Sequence, residues 1–302
     1  MAILVVGSVA LDTIETPFDK REEALGGSAM YFSVAASYFS RVQMVGVVGT
    51  DFPEDAVTML QEKGVDITGL QQVEGRTFRW SGRYHYDMNQ RDTLDTQLNV
   101  FEEFTPEIPD KYKSTEYLFL ANIHPALQLD VLGQVNDPAL VITDTMNLWI
   151  NTTLSDLKKV IARTDILLIS DSEIRLLTEE PNLLVAAKML LKEGPEVIII
   201  KKGEHGAMMV DDSAVFFTPG FPLENIVDPT GAGDVFAGGL VGHLERCGKV
   251  NKKSLRQAVV YGSVMASFNV EDFSLDNLRS LEPQAIHQRY KRFYELTTFD
   301  LE

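Results

Sequence analysis

The chain is short of cysteine, histidine and positive charge. Cys247 is the single cysteine in 302 residues, so no internal disulfide can form, and the composition points to a reducing cytosol. The five histidines are scattered, without the paired spacing of a metal site. Lysine and arginine total 27 against 44 acidic residues, which gives a net charge of -17. Such a surface repels nucleic acid and anionic membranes, so neither is expected as a partner. A phosphorylated ligand stays compatible, because a few local cations and a metal offset the field. No apolar run approaches a membrane span. The opening "MAILVVGSVALD" has no basic leader and its apolar run breaks at Ser8 and Asp12, so it reads as a first strand and not a signal peptide. Two nucleotide signatures are also missing. No G-x-x-x-x-G-K-[ST] occurs, which excludes a Walker P-loop kinase. No G-x-G-x-x-G follows the first strand, which disfavours a dinucleotide-dependent oxidoreductase.

What is present is a sizeable apolar fraction, 45%. That suffices for one large α/β domain or two small ones. No internal repeat, low-complexity segment or interdomain linker is visible. Short β-branched runs alternate with helical patterns. "AILVVG", "VQMVGVVG", "YLFLAN", "ALVITD", "DILLIS" and "EVIIIKKG" read as strands. Pro53 opens a helix with Ala56, Met59 and Leu60 on one face and Gly64 at its end. The last helix carries Ile286, Tyr290, Phe293 and Tyr294 as its apolar face. Strands alternating with helices predict a mostly parallel sheet covered on both sides. Ligands of such sheets bind beyond the C-terminal strand ends. Asp12, Asn122, Asp144 and residues 170 to 173 follow strands there.

"RTFRWSGRYHYDM" departs from this pattern by alternating with period two. Phe78, Trp80, Tyr84 and Tyr86 share one face; Arg79, Ser81, Arg83 and His85 share the other. This predicts an antiparallel strand or hairpin outside the main sheet. A plain edge strand over core is one reading. A lid or dimer surface is favoured, because so many aromatics outside the main pattern imply something large being covered.

The densest signal is "NIVDPTGAGDVFAGGLVGHL", residues 225 to 244. Gly231 and Gly233 permit a tight turn and close approach to a ligand. The N–H groups of Gly231, Ala232, Gly233 and Asp234 would face outward at the positive end of a helix dipole, which suits phosphate. Gly238 and Gly239 fit a helix packed closely on a neighbour. Taken alone, an Asp234 that merely stabilises the helix terminus explains "GAGD" equally well.

"DPTGAGDVFAGG" resembles the C-terminal signature of the ribokinase (PfkB) family of carbohydrate and nucleoside kinases. "GSVALD", Gly26-Gly27, "VGTD", "SDSE" and "KKGEHGA" fall in the family order, so the resemblance spans nearly the whole chain. It implies an ATP-dependent kinase with a ribokinase-like three-layer sandwich: one domain over residues 1–302, with lid segments at roughly 12–25 and 72–104. It implies that Asp234 takes the acceptor hydroxyl's proton, and that Gly231, Ala232 and Gly233 form the anion hole. Asp12, Gly26, Gly27, Tyr31 and Asn122 would bind the acceptor, and Lys202, Gly203, Thr230, Gly231 and Gly233 the nucleotide. Glu173 would position Mg²⁺ through water, and Asp228 would belong to a K⁺ site. The acceptor is expected to be a sugar or sugar-like molecule, phosphorylated at a primary alcohol, with a nucleoside as the alternative. A homodimer through the lid is a further expectation. A catalytically silent relative would have no need of Asp234. At a helix N-terminus, that aspartate is expected to have a lowered pKa.

Three positions depart from the family pattern. Ser170 replaces the asparagine of N-x-x-E. Tyr31 stands where sugar-binding members often carry asparagine. Lys201 or Lys202 occupies the threonine position of T-x-G before the nucleotide.

Overall fold

The computed structural model describes residues 2–300. Its strands are β1 (Ala2–Val6), β2 (Ala10–Glu15), β3 (Lys20–Gly26), β4 (Arg41–Gly49), β5 (Val65–Val73), β6 (Phe78–Tyr84), β7 (Arg91–Gln97), β8 (Tyr117–Leu120), β9 (Leu140–Asp144), β10 (Ile166–Ser170), β11 (Val197–Lys201), β12 (Ala207–Asp211) and β13 (Val215–Thr218). The helices are α1 (Ser28–Ala36), α2 (Glu54–Glu62), α3 (Pro125–Gln134), α4 (Asn147–Thr152), α5 (Leu154–Ile161), α6 (Asp171–Thr178), α7 (Leu183–Leu190), α8 (Ala232–Cys247), α9 (Lys252–Asn269), α10 (Asp276–Arg279) and α11 (Pro283–Thr297).

The main sheet runs β13-β12-β11-β10-β9-β8-β1-β4-β5. Neighbours from β11 to β5 are parallel; β12 and β13 extend it antiparallel. Because both faces are covered, the strand sequences are apolar throughout, yet their side chains still alternate between two cores. Ile3 and Val5 enter the core beneath α1, α2, α8, α9 and α11, whereas Leu4 and Val6 enter the one beneath α3. Ile166 and Leu168 of β10 join the first core, Leu167 and Ile169 a third one shared with α5, α6 and α7. This is a three-layer sandwich.

A second sheet, β3-β2-β6-β7, stands apart. Two antiparallel pairs, β2/β3 and β6/β7, meet through a parallel β2–β6 contact. Its small core of Ile14, Ala24 and Tyr84 rests on Phe273 of the main body. The two faces of β6 differ as the alternation predicts. Trp80 and Tyr84 turn inward, opposite Asp12 and Arg91 in the pairing register. On the other face Arg79 pairs with Asp51 at 2.8 Å and Glu23 at 3.0 Å, and Arg83 with Glu15 at 2.8 Å. Tyr86 is a correction: it lies past the strand, 83% exposed, with its ring 6.2 Å from that of Phe18. Tyr294 is another, facing solvent while Ile286 and Phe293 of the same helix are buried.

Helix α8 runs between α1 and α9, and glycine decides how closely. A Cβ on Gly238 would stand 2.6 Å from the Phe32 carbonyl oxygen, and one on Gly239 2.8 Å from that of Tyr261. Backbone atoms cannot rotate away as a side chain would. We expect Gly238→Ala to lower stability by about 1–2 kcal/mol in urea unfolding, overpacking outweighing its gain in helix propensity. Gly133→Ala in α3, where a Cβ meets nothing within 4 Å, should instead raise stability by about 0.5 kcal/mol.

Candidate active site

The loop before α8 is built on a buried carboxylate. Asp228 is fully buried; its Oδ1 accepts from the Thr230 amide at 2.8 Å and its Oδ2 from the Ser274 amide at 3.1 Å. The Thr230 carbonyl accepts from Asn269 Nδ2 at 2.8 Å, and the Thr230 hydroxyl donates to the Tyr84 hydroxyl of the lid at 3.1 Å. The chain then turns through Gly231 at φ 75°, where a Cβ would strike the Tyr31 ring at 2.5 Å. Glycine is required there twice over, by backbone angle and by space.

Helix α8 starts at Ala232. The Ala232 amide is spent on the Pro229 carbonyl at 3.2 Å, which corrects the expectation of an outward-facing donor at that position. Among the described residues the amides of Gly231 and Gly233 have no acceptor and that of Asp234 is turned on its own carboxyl, so two donors remain open at the helix mouth. Asp234, in the first turn, has its carboxyl pushed up to about 7 by burial and then by the nearby Asp144 charge, with Lys201 and Arg91 opposing. The lowered value expected from the helix dipole is therefore wrong. Desolvation and like charge outweigh a terminus effect that is typically below 1 kcal/mol.

Three neighbouring strand ends supply the floor. Asp144 ends β9, Ser170 ends β10 and Lys201 ends β11. Lys201 reaches past β10 to place Nζ 2.5 Å from Asp144 Oδ2. Glu173 stands in a capping box at the start of α6. Its Oε2 accepts from the Ser170 amide at 2.7 Å, while its own amide donates to Ser170 Oγ at 3.2 Å. Ser170 and Glu173 thus cap the helix reciprocally.

On the opposite wall, Asp12 of β2 is 4% exposed. Its carboxyl rises to about 8 through burial and then the fields of Asp228 and Asp234, with Arg91 opposing. A Cβ on Gly26 would fall 2.0 Å from Asp12 Oδ2, and one on Gly27, at φ 92°, 2.5 Å from the Ser8 carbonyl oxygen. The glycine pair thus makes room for Asp12 on one side and docks α1 on the other. Tyr31 is buried against Gly231, its hydroxyl without a hydrogen-bond partner among the described residues. Asn122 is engaged elsewhere, its Oδ1 accepting from Trp149 Nε1 at 2.8 Å. Lys202 and Gly203 form the turn after β11, where the lid's Asn89 donates to Glu204 Oε1 at 3.1 Å.

Sequence reasoning missed Arg91. Its guanidinium lies 5.4 Å from the Trp80 ring centroid, and its charge lowers the pKa of both Asp12 and Asp234. The available signal was a cation at the start of an otherwise neutral-to-acidic hairpin strand.

Residues 3–280 match the pfkB family of carbohydrate kinases. The chain belongs to that family. A cytidine kinase of Thermococcus kodakarensis is 28% identical over 277 residues, spanning 85% of this chain and 95% of that protein. An aminoimidazole riboside kinase of Salmonella enterica, solved with aminoimidazole riboside and an ATP analogue, superposes with a TM-score of 0.76 at 19% identity. It covers 96% of this chain and 100% of that one. An E. coli protein described as a ribokinase II, solved with ATP and Mg²⁺, gives 0.77 at 19% identity, over 96% and 99%. This pfkB-family member is accordingly an enzyme, an ATP-dependent kinase of a sugar or nucleoside hydroxyl. Its fold is ribokinase-like, and among the described residues no helix is long and apolar enough to cross a membrane.

The Asp12–Gly26 contact gives a test of whether Asp12 faces the acceptor. Gly26→Ala forces the Asp12 carboxyl from its place. We expect acceptor KM to rise about tenfold or more, the size of one lost charged hydrogen bond, with ATP KM within about twofold. Steady-state kinetics in both substrates checks this; equal effects on the two would point to general misfolding.

Proposed function

We propose that the chain phosphorylates the primary hydroxyl of a nucleoside, with Asp234 as the base and the amides of Gly231 and Gly233 as the hole for the transferring phosphoryl group. The observation that carries this reading is the helix mouth. One carboxylate and two unspent amides lie within a single turn, facing the Asp12 wall across the cleft. A nucleoside acceptor is favoured over a simple sugar by Trp80 on the inward face of the lid, which is only partly buried and offers a ring to a base. The likeness to cytidine kinase and to an aminoimidazole riboside kinase supports the same class.

Phosphoryl transfer depends on positioning and charge stabilisation more than on covalent chemistry. Asp12 holds the acceptor, Asp234 takes its proton, and the fixed amide dipoles meet the charge on the phosphoryl oxygens. The lid excludes water that would compete as acceptor. Tyr31 shapes the wall between them, and the turn at Lys202 and Gly203 holds the nucleotide with Thr230. Mg²⁺ typically keeps its waters and binds substrate phosphates with one or two carboxylates; Glu173 is the residue assigned to it here. When bound, the ion neutralises triphosphate charge. Potassium at Asp228 belongs to the same reading, as do a cytosolic setting and a homodimer through the lid. The dimer is supported by β7, an edge strand exposed along its whole length. Light scattering that returns 33.7 kDa, the mass of one chain, removes it.

The base assignment is tested by substitution and by pH. Asp234→Asn should lower kcat by about 10²–10⁴-fold with ATP affinity nearly unchanged. A raised pKa on a group that acts when ionised means activity is lost on acidification. The rate should fall toward tenfold per unit below about pH 7 and level off above about pH 8. A flat profile across that range, or near-full activity in Asp234→Asn, overturns the assignment. A panel of nucleosides and sugars, read by ADP release, decides the acceptor.

A further inference from the structure

Lys201 has a job left over. A lysine ammonium has three donors. Among the described residues Lys201 Nζ donates to one acceptor, Asp144 Oδ2 at 2.5 Å. The side chain is 18% exposed while its partner is 4% exposed, so the lysine is the more accessible member of the pair. A Cβ built on Gly233 would stand 3.3 Å from Nζ, so the ammonium sits beside one of the two unspent amides. Burial opposes its charge, but the Asp144 and Glu173 carboxylates outweigh that and keep it protonated. A charged side chain with two free donors next to an anion hole is more than a strut between β9 and β11.

We infer that Lys201 is a catalytic residue, its ammonium contacting the β- and γ-phosphate oxygens of the nucleotide at the helix mouth while Asp144 holds it in place. This rests on the kinase reading above and deepens it. In the transfer, the acceptor oxygen forms a bond to the γ-phosphorus and the bond from that phosphorus to the bridging oxygen breaks. The acceptor proton goes to Asp234, and the electron pair of the broken bond stays on the β-phosphate. Negative charge therefore grows on the oxygens nearest Lys201, which offsets it without giving up a proton. Lysine suits this task as a compact point charge with rotatable donors.

Equilibrium binding of ATP, ADP and AMP to the full chain, with Mg²⁺, tests the inference without any acceptor. Lys201→Met should weaken ATP by about 30-fold or more, ADP by less and AMP by less than about threefold, since AMP lacks the contacted groups. With the best acceptor, kcat should fall about 100-fold or more, while acceptor affinity measured without nucleotide stays within about twofold. Lys201→Arg should recover part of both losses. Because Lys201→Met strands the buried Asp144 charge, the double variant Asp144→Asn with Lys201→Met keeps the pair neutral and should show the same selective loss. Equal weakening of ATP and AMP, or unchanged ATP binding in either variant, overturns the inference. Wild-type protein that binds ATP but turns over no acceptor would overturn the kinase reading instead, and leaves the binding ratio to judge Lys201.

Discussion

Four carboxylates, Asp12, Asp144, Asp228 and Asp234, surround the place where a still more negative group has to bind in the proposed reaction. Left to themselves they would repel the triphosphate and one another. The rest of the site can be understood as compensation. Asp228 is consumed by two backbone amides and acts as a brace. Asp144 is consumed by Lys201. That leaves Asp12 and Asp234, whose pKa values are raised to about 8 and about 7, so Asp234 charges around neutrality and Asp12 only above it. Arg91 from the lid and Lys201 from the sheet hold the remaining field in check from opposite sides. A chain with net charge -17 thus concentrates two cations and a helix terminus where they count.

Glycine sets the distances over which this compensation works. Electrostatic terms fall quickly once water enters, so the acids, the amides and the cations must be close and dry. Gly231 lets the backbone lie on the Tyr31 ring, Gly233 leaves room for the Lys201 ammonium, and Gly26 leaves room for the Asp12 carboxylate. Further along, Gly238 draws α8 onto α1, the helix that carries Tyr31. The same residue type therefore seats the loop, the helix and the wall opposite. The cost is backbone entropy, about 1 kcal/mol for each helical glycine relative to alanine.

How much of this was legible in the sequence follows from which interactions are local. Six of the nine strands of the main sheet and the glycine turn before α8 are written in runs of a few residues, and they stand where the pattern puts them; the edge strand β5 and the antiparallel pair β12 and β13 are not among them. The alternation around Trp80 and Tyr84 showed two faces, but the strand ends at Tyr84, and Tyr86 beyond it points to solvent. The pKa of Asp234 was misjudged because the helix terminus is a local feature, whereas Asp144, which helps raise it, lies ninety residues earlier. The sequence places Asn122 at a strand end, but its hydrogen bond from Trp149 depends on how α4 packs and is not legible there. In the sequence Lys201 is only a departure from a motif; its ion pair with Asp144 across β10 joins residues far apart in the chain. Arg91 was invisible for the same reason, since its role depends on the hairpin that folds it back over Asp12.

The lid's contacts explain why its closure bears on both substrates. Tyr84 hydrogen-bonds Thr230 at the mouth of α8, so an inward lid touches the loop of the proposed anion hole directly. Asn89, at the hairpin tip, reaches Glu204 in the turn after Lys201, on the side assigned to the nucleotide. Ile14 and Ala24 rest on Phe273, in the segment that also satisfies Asp228. Each contact is small, and exposed polar ones such as Asn89–Glu204 contribute little alone. Their arrangement matters more than their sum. The lid touches the loop that would hold each substrate, so a shift in either loop changes what the lid rests on. A sheet anchored by a four-residue core can respond to such shifts in a way the main sheet, buried on both faces, cannot.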